Sequence, residues 1–129
     1  MADWWGFSRS NYFKVKDKEA FKAWLSDVGD VSMLQEMDDY IAIAGDSFGG
    51  WPTYSGDDCE EFDFVEELSG FLADDEVAVL IETGAEKLRY ITGVAVAVDN
   101  RGKRADISLS DISAQAEAVL GRRPSDASY

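Results

Sequence analysis

Residues 76–112 read as three strand patterns in a row, EVAVLIET, KLRYITGVAVAVD and RADISLSDI. No other stretch constrains the fold as tightly. β-Branched and apolar residues at short intervals, cut by turn residues, describe consecutive antiparallel strands. Asn100-Arg101-Gly102 supplies the turn between the last two, and Gly84 is expected in the turn between the first two. After the third pattern, Ser110 or Asp111 caps a short helix over residues 112–120, closed by Gly121.

Upstream of this meander the periodicity changes repeatedly. Residues 11–16 (NYFKVK) alternate as a strand. Asp17 is an N-cap, and Phe21, Trp24, Leu25 and Val28 fall at i, i+3, i+4 and i+7, one apolar stripe of a helix ending near Gly29. Residues 31–37 and 40–44 form a hairpin about Asp38-Asp39. The segment GDSFGGWPTYSG, residues 45–56, is a loop with a short strand over 52–54. A second helix is expected over residues 59–73, capped by Asp57 or Asp58, with Phe64, Val65, Leu68, Phe71 and Leu72 as its core face. Residues 1–10, with Trp4 and Trp5, read as a loose arm, and residues 122–129 as a frayed tail. The order β-α-β-β-α-β-β-β-α describes one α+β domain over residues 1–129. It is a largely antiparallel sheet with helices on one side, and a ferredoxin-like core with a C-terminal meander satisfies it.

Composition narrows the function. The chain has 129 residues and a net charge of −14, with four Trp, five Tyr and seven Phe among 46% hydrophobic residues. Such a chain buries a core and is not a disordered acidic tail. Direct binding to nucleic acid or to an anionic membrane is disfavoured by repulsion. A single cysteine, Cys59, excludes an internal disulfide and suits a reducing cytoplasm, and neither a signal peptide nor a membrane span is read.

The charge is concentrated. Residues 23–86 hold 18 acidic residues and no basic one, and ten of these acids lie in residues 57–76, DDCEEFDFVEELSGFLADDE. On the expected helix Glu60, Asp63 and Glu67 share a face, with Glu66 and Glu61 beside them. Neighbours three or four apart lie ~5–6 Å from each other at Cβ, a spacing comparable with that of charges along a nucleic-acid backbone. Asp57, Asp58, Asp74, Asp75 and Glu76 extend the row, and Asp38, Asp39 and Asp46 offer a second. Trp51 and Tyr54 are candidate interface anchors in the neighbouring loop.

Catalytic chemistry finds few residues to work with. GDSFGG resembles the nucleophile loop of chymotrypsin-like serine proteases with a phenylalanine inserted, but the chain contains no histidine and cannot assemble a Ser-His-Asp triad. A zinc site of Cys and His is excluded in the same way. The acidic segment lacks the glycine of a calcium loop, and no phosphate-loop or dinucleotide fingerprint occurs. No catalytic residue, metal or cofactor is therefore assigned.

In size, charge distribution and lack of catalytic residues, the chain resembles small acidic inhibitors made by phages and mobile elements, the anti-restriction and anti-CRISPR DNA mimics. That resemblance implies a non-enzymatic protein of the bacterial cytoplasm that occupies the Lys/Arg-lined channel of a nuclease or CRISPR complex. The alternative is a small immunity or adaptor protein that binds a protein partner by its aromatic loop or a strand edge.

Overall fold

A computed structural model describes residues 4–45, 51–52, 54–55, 60–61, 63–88 and 90–125. The elements in chain order are β1 (Trp4–Ser10), β2 (Phe13–Lys14), α1 (Lys18–Val28), β3 (Val31–Met37), β4 (Tyr40–Gly45), β5 (Tyr54–Ser55), β6 (Glu60–Glu61), α2 (Phe64–Ser69), β7 (Val77–Glu86), β8 (Tyr90–Asp99), β9 (Arg104–Ser108) and α3 (Asp111–Leu120). The main sheet runs β3-β4-β1-β7-β8-β9, with β2 continuing the line of β1 along β4, and every pairing is antiparallel. With α1 between β1 and β3 and α2 between β4 and β7, this is the expected α+β arrangement. The β3-β4-β1-β7 order is that of a ferredoxin-like core, and β8 and β9 add the meander.

The largest correction concerns the N-terminus. Residues 4–10 are not a loose arm but the strand at the centre of the sheet, paired along β7 from Trp4↔Glu86 to Ser10↔Leu80. Its alternation is inverted, which hid it: the buried positions are serines, and Trp5 and Phe7 face outward. On its other side β1 has, among the described residues, one registered pair with β4, Arg9↔Ala44. Side chains complete that seam. The Ser10 hydroxyl accepts from Ile43 N at 2.9 Å and Ser8 Oγ accepts from Gly45 N at 3.1 Å. These serines satisfy buried backbone donors that would otherwise cost stability.

Other elements follow their local chemistry. Asp17 Oδ1 accepts from Glu19 N and Ala20 N, and α1 buries Phe21, Leu25 and Val28 before Gly29 turns out of the helix at φ 72°. The expected strand over 11–16 shortens to β2 and an isolated Val15↔Leu72 bridge. β2 also holds the segment after α2, through Lys16 N to Phe71 O and Ala73 N to Lys14 O. Gly84 lies inside β7 opposite Gly6 and Thr92, not in a turn. The turn begins at Lys87, whose φ is 52°. Gly121 ends α3 in the left-handed conformation.

The core lies between α1, α2 and one face of the sheet. Phe13, Phe21, Ile41, Ile43, Leu68, Leu72, Leu80 and Val98 are fully buried there. Residues 122–125 are exposed and without regular structure, and residues 126–129 of the expected tail lie outside the described residues. No helix among the described residues is long and apolar enough to cross a membrane.

Candidate partner-binding surface and the adjoining cavity

The second helix is shorter than its sequence suggests, and this rearranges the acidic residues. Asp63 is the N-cap, with φ −96° and ψ 99°, and its Oδ1 accepts from Glu66 N at 3.2 Å. The helix ends at Ser69, where the Gly70 N–H turns back to the carbonyls of Glu67 and Leu68. Glu60 and Glu61 form β6, paired with Tyr54 and Ser55 of β5. The single helical row of Glu60, Asp63 and Glu67 is therefore not formed. Two effects favour this outcome: aspartate is a strong N-cap, and a helix through residues 57–67 would place like charges three and four residues apart. Asp57, Asp58 and Asp46 lie outside the described residues, as do the side chains of Tyr54, Glu60 and Glu61.

Several acids find partners inside the chain. Asp63 Oδ2 pairs with Arg104 Nη2, and that guanidinium, followed by the cap hydrogen bond from Glu66, holds the Asp63 carboxyl below the usual range. Glu67 Oε1 accepts from Trp24 Nε1 at 2.9 Å. Glu76 Oε1 accepts from Lys14 N at 3.0 Å, and Asp74 Oδ1 accepts from Asn100 Nδ2 at 3.5 Å. Lys18 donates to the Asp38 carbonyl at 2.7 Å, and Lys18 and Lys22 both reach Glu36, whose carboxyl they hold below its ordinary value. Charge separated along the sequence is thus partly interleaved in space, because α1 and β9 bring basic residues from outside the acidic block.

Two of the candidate acids do backbone work as well. Asp38 and Asp75 adopt φ of 55° and 62°, a left-handed conformation that aspartate tolerates better than most residues. Both are exposed, as are Asp39, Glu66 and Asp74. The hairpin tip at Asp38-Asp39 and the segment Asp74-Asp75-Glu76 lie at the same end of the sheet, joined through Lys14. That residue pairs with Tyr40 on one side and meets Glu76 on the other.

Trp51 is half-buried in the core, with its ring stacked on Phe64 at 5.6 Å and 13°. Phe64 in turn stacks on Trp24 at 5.1 Å. Trp51 Nε1 is buried and has no hydrogen-bond partner among the described residues. Its ring therefore serves packing first.

Sequence reasoning missed a cavity of about 370 Å³ beside this stack. Trp51 and Val65 cover it, Leu80, Val94 and Val96 line it, and Glu82, Arg104 and Asp106 bring charge to it. Burial raises the Glu82 carboxyl above its ordinary value. The available signal was Glu82 itself, a lone carboxylate at the end of the apolar run VAVLI. Among the described residues no group of three or more His, Cys, Asp or Glu is placed to hold a metal ion.

Comparison with protein-family models, with curated proteins and with solved structures finds no match.

Proposed function

We propose that the protein is a non-enzymatic inhibitor that binds a basic nucleic-acid-binding protein through its acidic surface. The observation that carries this reading is the charge, 18 acidic and no basic residue over residues 23–86. Exposed Asp38, Asp39, Glu66, Asp74 and Asp75 support it. Because Asp63, Glu67 and Glu76 are engaged within the chain, and Asp74 only through a 3.5 Å hydrogen bond from Asn100, these five have the most to offer a partner. A surface of this kind attracts a Lys/Arg-lined channel of a restriction nuclease or CRISPR complex and competes there with the polyanion it normally holds.

The test is affinity capture from a bacterial lysate, followed by a gel-shift assay on the captured protein. Added inhibitor displaces nucleic acid from the target, and the affinity falls as salt rises. Changing Asp39, Glu66 and Asp74 together to Lys removes the competition while circular dichroism is unchanged. Full competition by the triple variant, or simultaneous binding with nucleic acid without mutual weakening, refutes the reading.

One observation favours a second reading as an adaptor. Among the described residues β9 pairs with β8 alone and has no registered bulge, so its outer edge is suited to strand addition. Binding of that kind is nearly insensitive to salt.

A further inference from the structure

The sheet has two faces, and the described helices α1 and α2 pack on one. Register assigns the other. From Trp5↔Ala85↔Ile91, Phe7↔Thr83↔Gly93 and Arg9↔Ile81↔Ala95↔Ile107, these rows lie on the face opposite Ser8, Ser10, Leu80 and Val98. Trp5 and Phe7 are each 73% exposed, Ile91 61% and Ile107 67%, with Ile81 and Leu109 exposed beside them. With ~150–250 Å² for a fully exposed aromatic side chain, these six present on the order of 700–800 Å². The largest apolar patch of an ordinary monomer is ~300–600 Å², whereas a standard interface takes ~800 Å² from each partner.

Three independent features select a second copy of this chain as the cover. First, β7 and β8 are apolar on both faces: Val77, Val79 and Ile81 alternate with Ala78 and Leu80, and Ala95 and Ala97 with Val94, Val96 and Val98. Near-continuous apolar strands belong to sheets covered on both sides. Second, the charges avoid this face. Along the outward rows of β1, β7, β8 and β9 only Arg9 and the terminal Asp99 are charged, while Glu82, Glu86, Arg104 and Asp106 take the opposite parity. Arg9 itself lies over the Tyr12 ring, 5.9 Å from its centroid. Two chains of net charge −14 can thus meet here with their acids elsewhere. Third, the relief is self-complementary. Trp5 and Phe7 on β1 and Ile107 on β9 form two ridges, Leu109 lies over Gly93, and Ala95 and Ala97 on β8 form a shallow trough beside Val79 and Ile81 of β7.

α3 carries a matching feature. A ten-residue helix is marginal in water without tertiary packing, yet it buries no residue, and its stripe of Ile112, Val119 and Leu120 is exposed.

The geometry points to a symmetric homodimer in which two copies pack these sheet faces together, the β1 ridge of each entering the β8 trough of the other and α3 closing the margin. Aligned sheets pack ~10 Å apart with interdigitated side chains, which the ridge and trough provide.

Sedimentation equilibrium of the purified chain at 50 and 500 mM NaCl tests this. The expected mass is twice 14.2 kDa, and the dimer is at least as tight at high salt, because screening relieves repulsion between like-charged copies. That trend is opposite in sign to the salt dependence of a basic partner, so failure of one reading leaves the other standing. Phe7→Glu raises the dimer dissociation constant at least ~30-fold, the scale of a central hot spot, and shifts the tryptophan emission to the red as Trp5 returns to solvent. If circular dichroism shows that Phe7→Glu is unfolded, Ile107→Lys on the edge strand gives the same measurement. A wild-type chain that stays monomeric at 100 µM, or a folded variant that dimerises as the wild type does, overturns the proposal. Monomer in isolation with the patch covered only in a captured complex overturns it too, and assigns the face to another protein.

Discussion

Replacing Asp63 by alanine separates structural acids from those free to bind. Asp63 caps α2 through Glu66 N and pairs with Arg104. Loss of an N-cap costs ~1 kcal/mol, within ~0.5–2. The ion pair adds at most a few tenths to ~1 kcal/mol, since both side chains are more than a third exposed. Asp63→Ala is therefore expected to cost ~1–2 kcal/mol. Unfolding entropy of ~2.1 cal/mol/K per residue turns that into a fall of ~4–7 °C in Tm for a chain of this length. Asp63→Asn keeps the acceptor oxygen and loses only the charge, so it costs less than half as much. Because the Asp63 carboxyl titrates below its ordinary value of 3.8 in the folded state, its charge-dependent stabilisation is complete above that value. It is lost as pH falls through the lowered one. Thermal melts of both variants and of Arg104→Ala, at pH 7 and pH 3, measure each contribution. Equal losses from Asp63→Asn and Asp63→Ala at pH 7, or a change under ~0.3 kcal/mol for alanine, would refute the capping argument. The practical corollary is that Asp63 does not belong in a charge-reversal set, because its loss frays α2 whether or not a partner touches it.

Trp51 and Glu82 give two further expectations. Trp51→Ala removes a ring stacked on Phe64 and costs ~2–4 kcal/mol in denaturant melts. Trp51→Phe keeps the stack, discards an N–H with no partner among the described residues, and is expected within ~1 kcal/mol of wild type or above it; a loss equal to that of alanine would contradict this. For Glu82, burial raises the folded-state value above the ordinary 4.5, so the folded protein holds this proton more tightly than the unfolded one. Stability is then lost as pH rises from 4.5 through the raised value. Glu82→Gln should raise Tm at pH 7 and leave it unchanged at pH 4, and a gain independent of pH would refute the assignment.

What the sequence made legible follows from where pattern and burial agree. The Phe21, Leu25, Val28 stripe was readable because it buries one regular face, and the Asp38-Asp39 hairpin and the C-terminal strands because their β-branched and apolar runs are cut by turn residues. β1 was not, since its inward positions include Gly6, Ser8 and Ser10, small or polar, while Trp5 and Phe7 point away from the core. Those serines act through hydrogen bonds to β4, which no hydrophobic period reports. The acidic surface was legible as composition and illegible as geometry. Asp63 competed with Asp57 and Asp58 as the cap, and the nearest cap to the buried Phe64 prevailed. The Glu82 cavity requires three strands and Trp51 to meet, a coincidence that only the tertiary fold supplies.

The position of β1 also sets the order in which the chain can mature during synthesis. Trp4 finds its partner at Glu86 and Ser10 at Leu80, so β1, made before the other strands of this sheet, waits for most of the domain. In that interval α1, β3 and β4 can collapse locally, while Trp5 and Phe7 stay unpaired and open to off-pathway contacts. Long-range closure of this kind slows folding relative to a helical domain of the same length. Deleting residues 4–10 would therefore not trim an appendage; it would leave a β3-β4 hairpin and a β7-β8-β9 meander with no strand to join them.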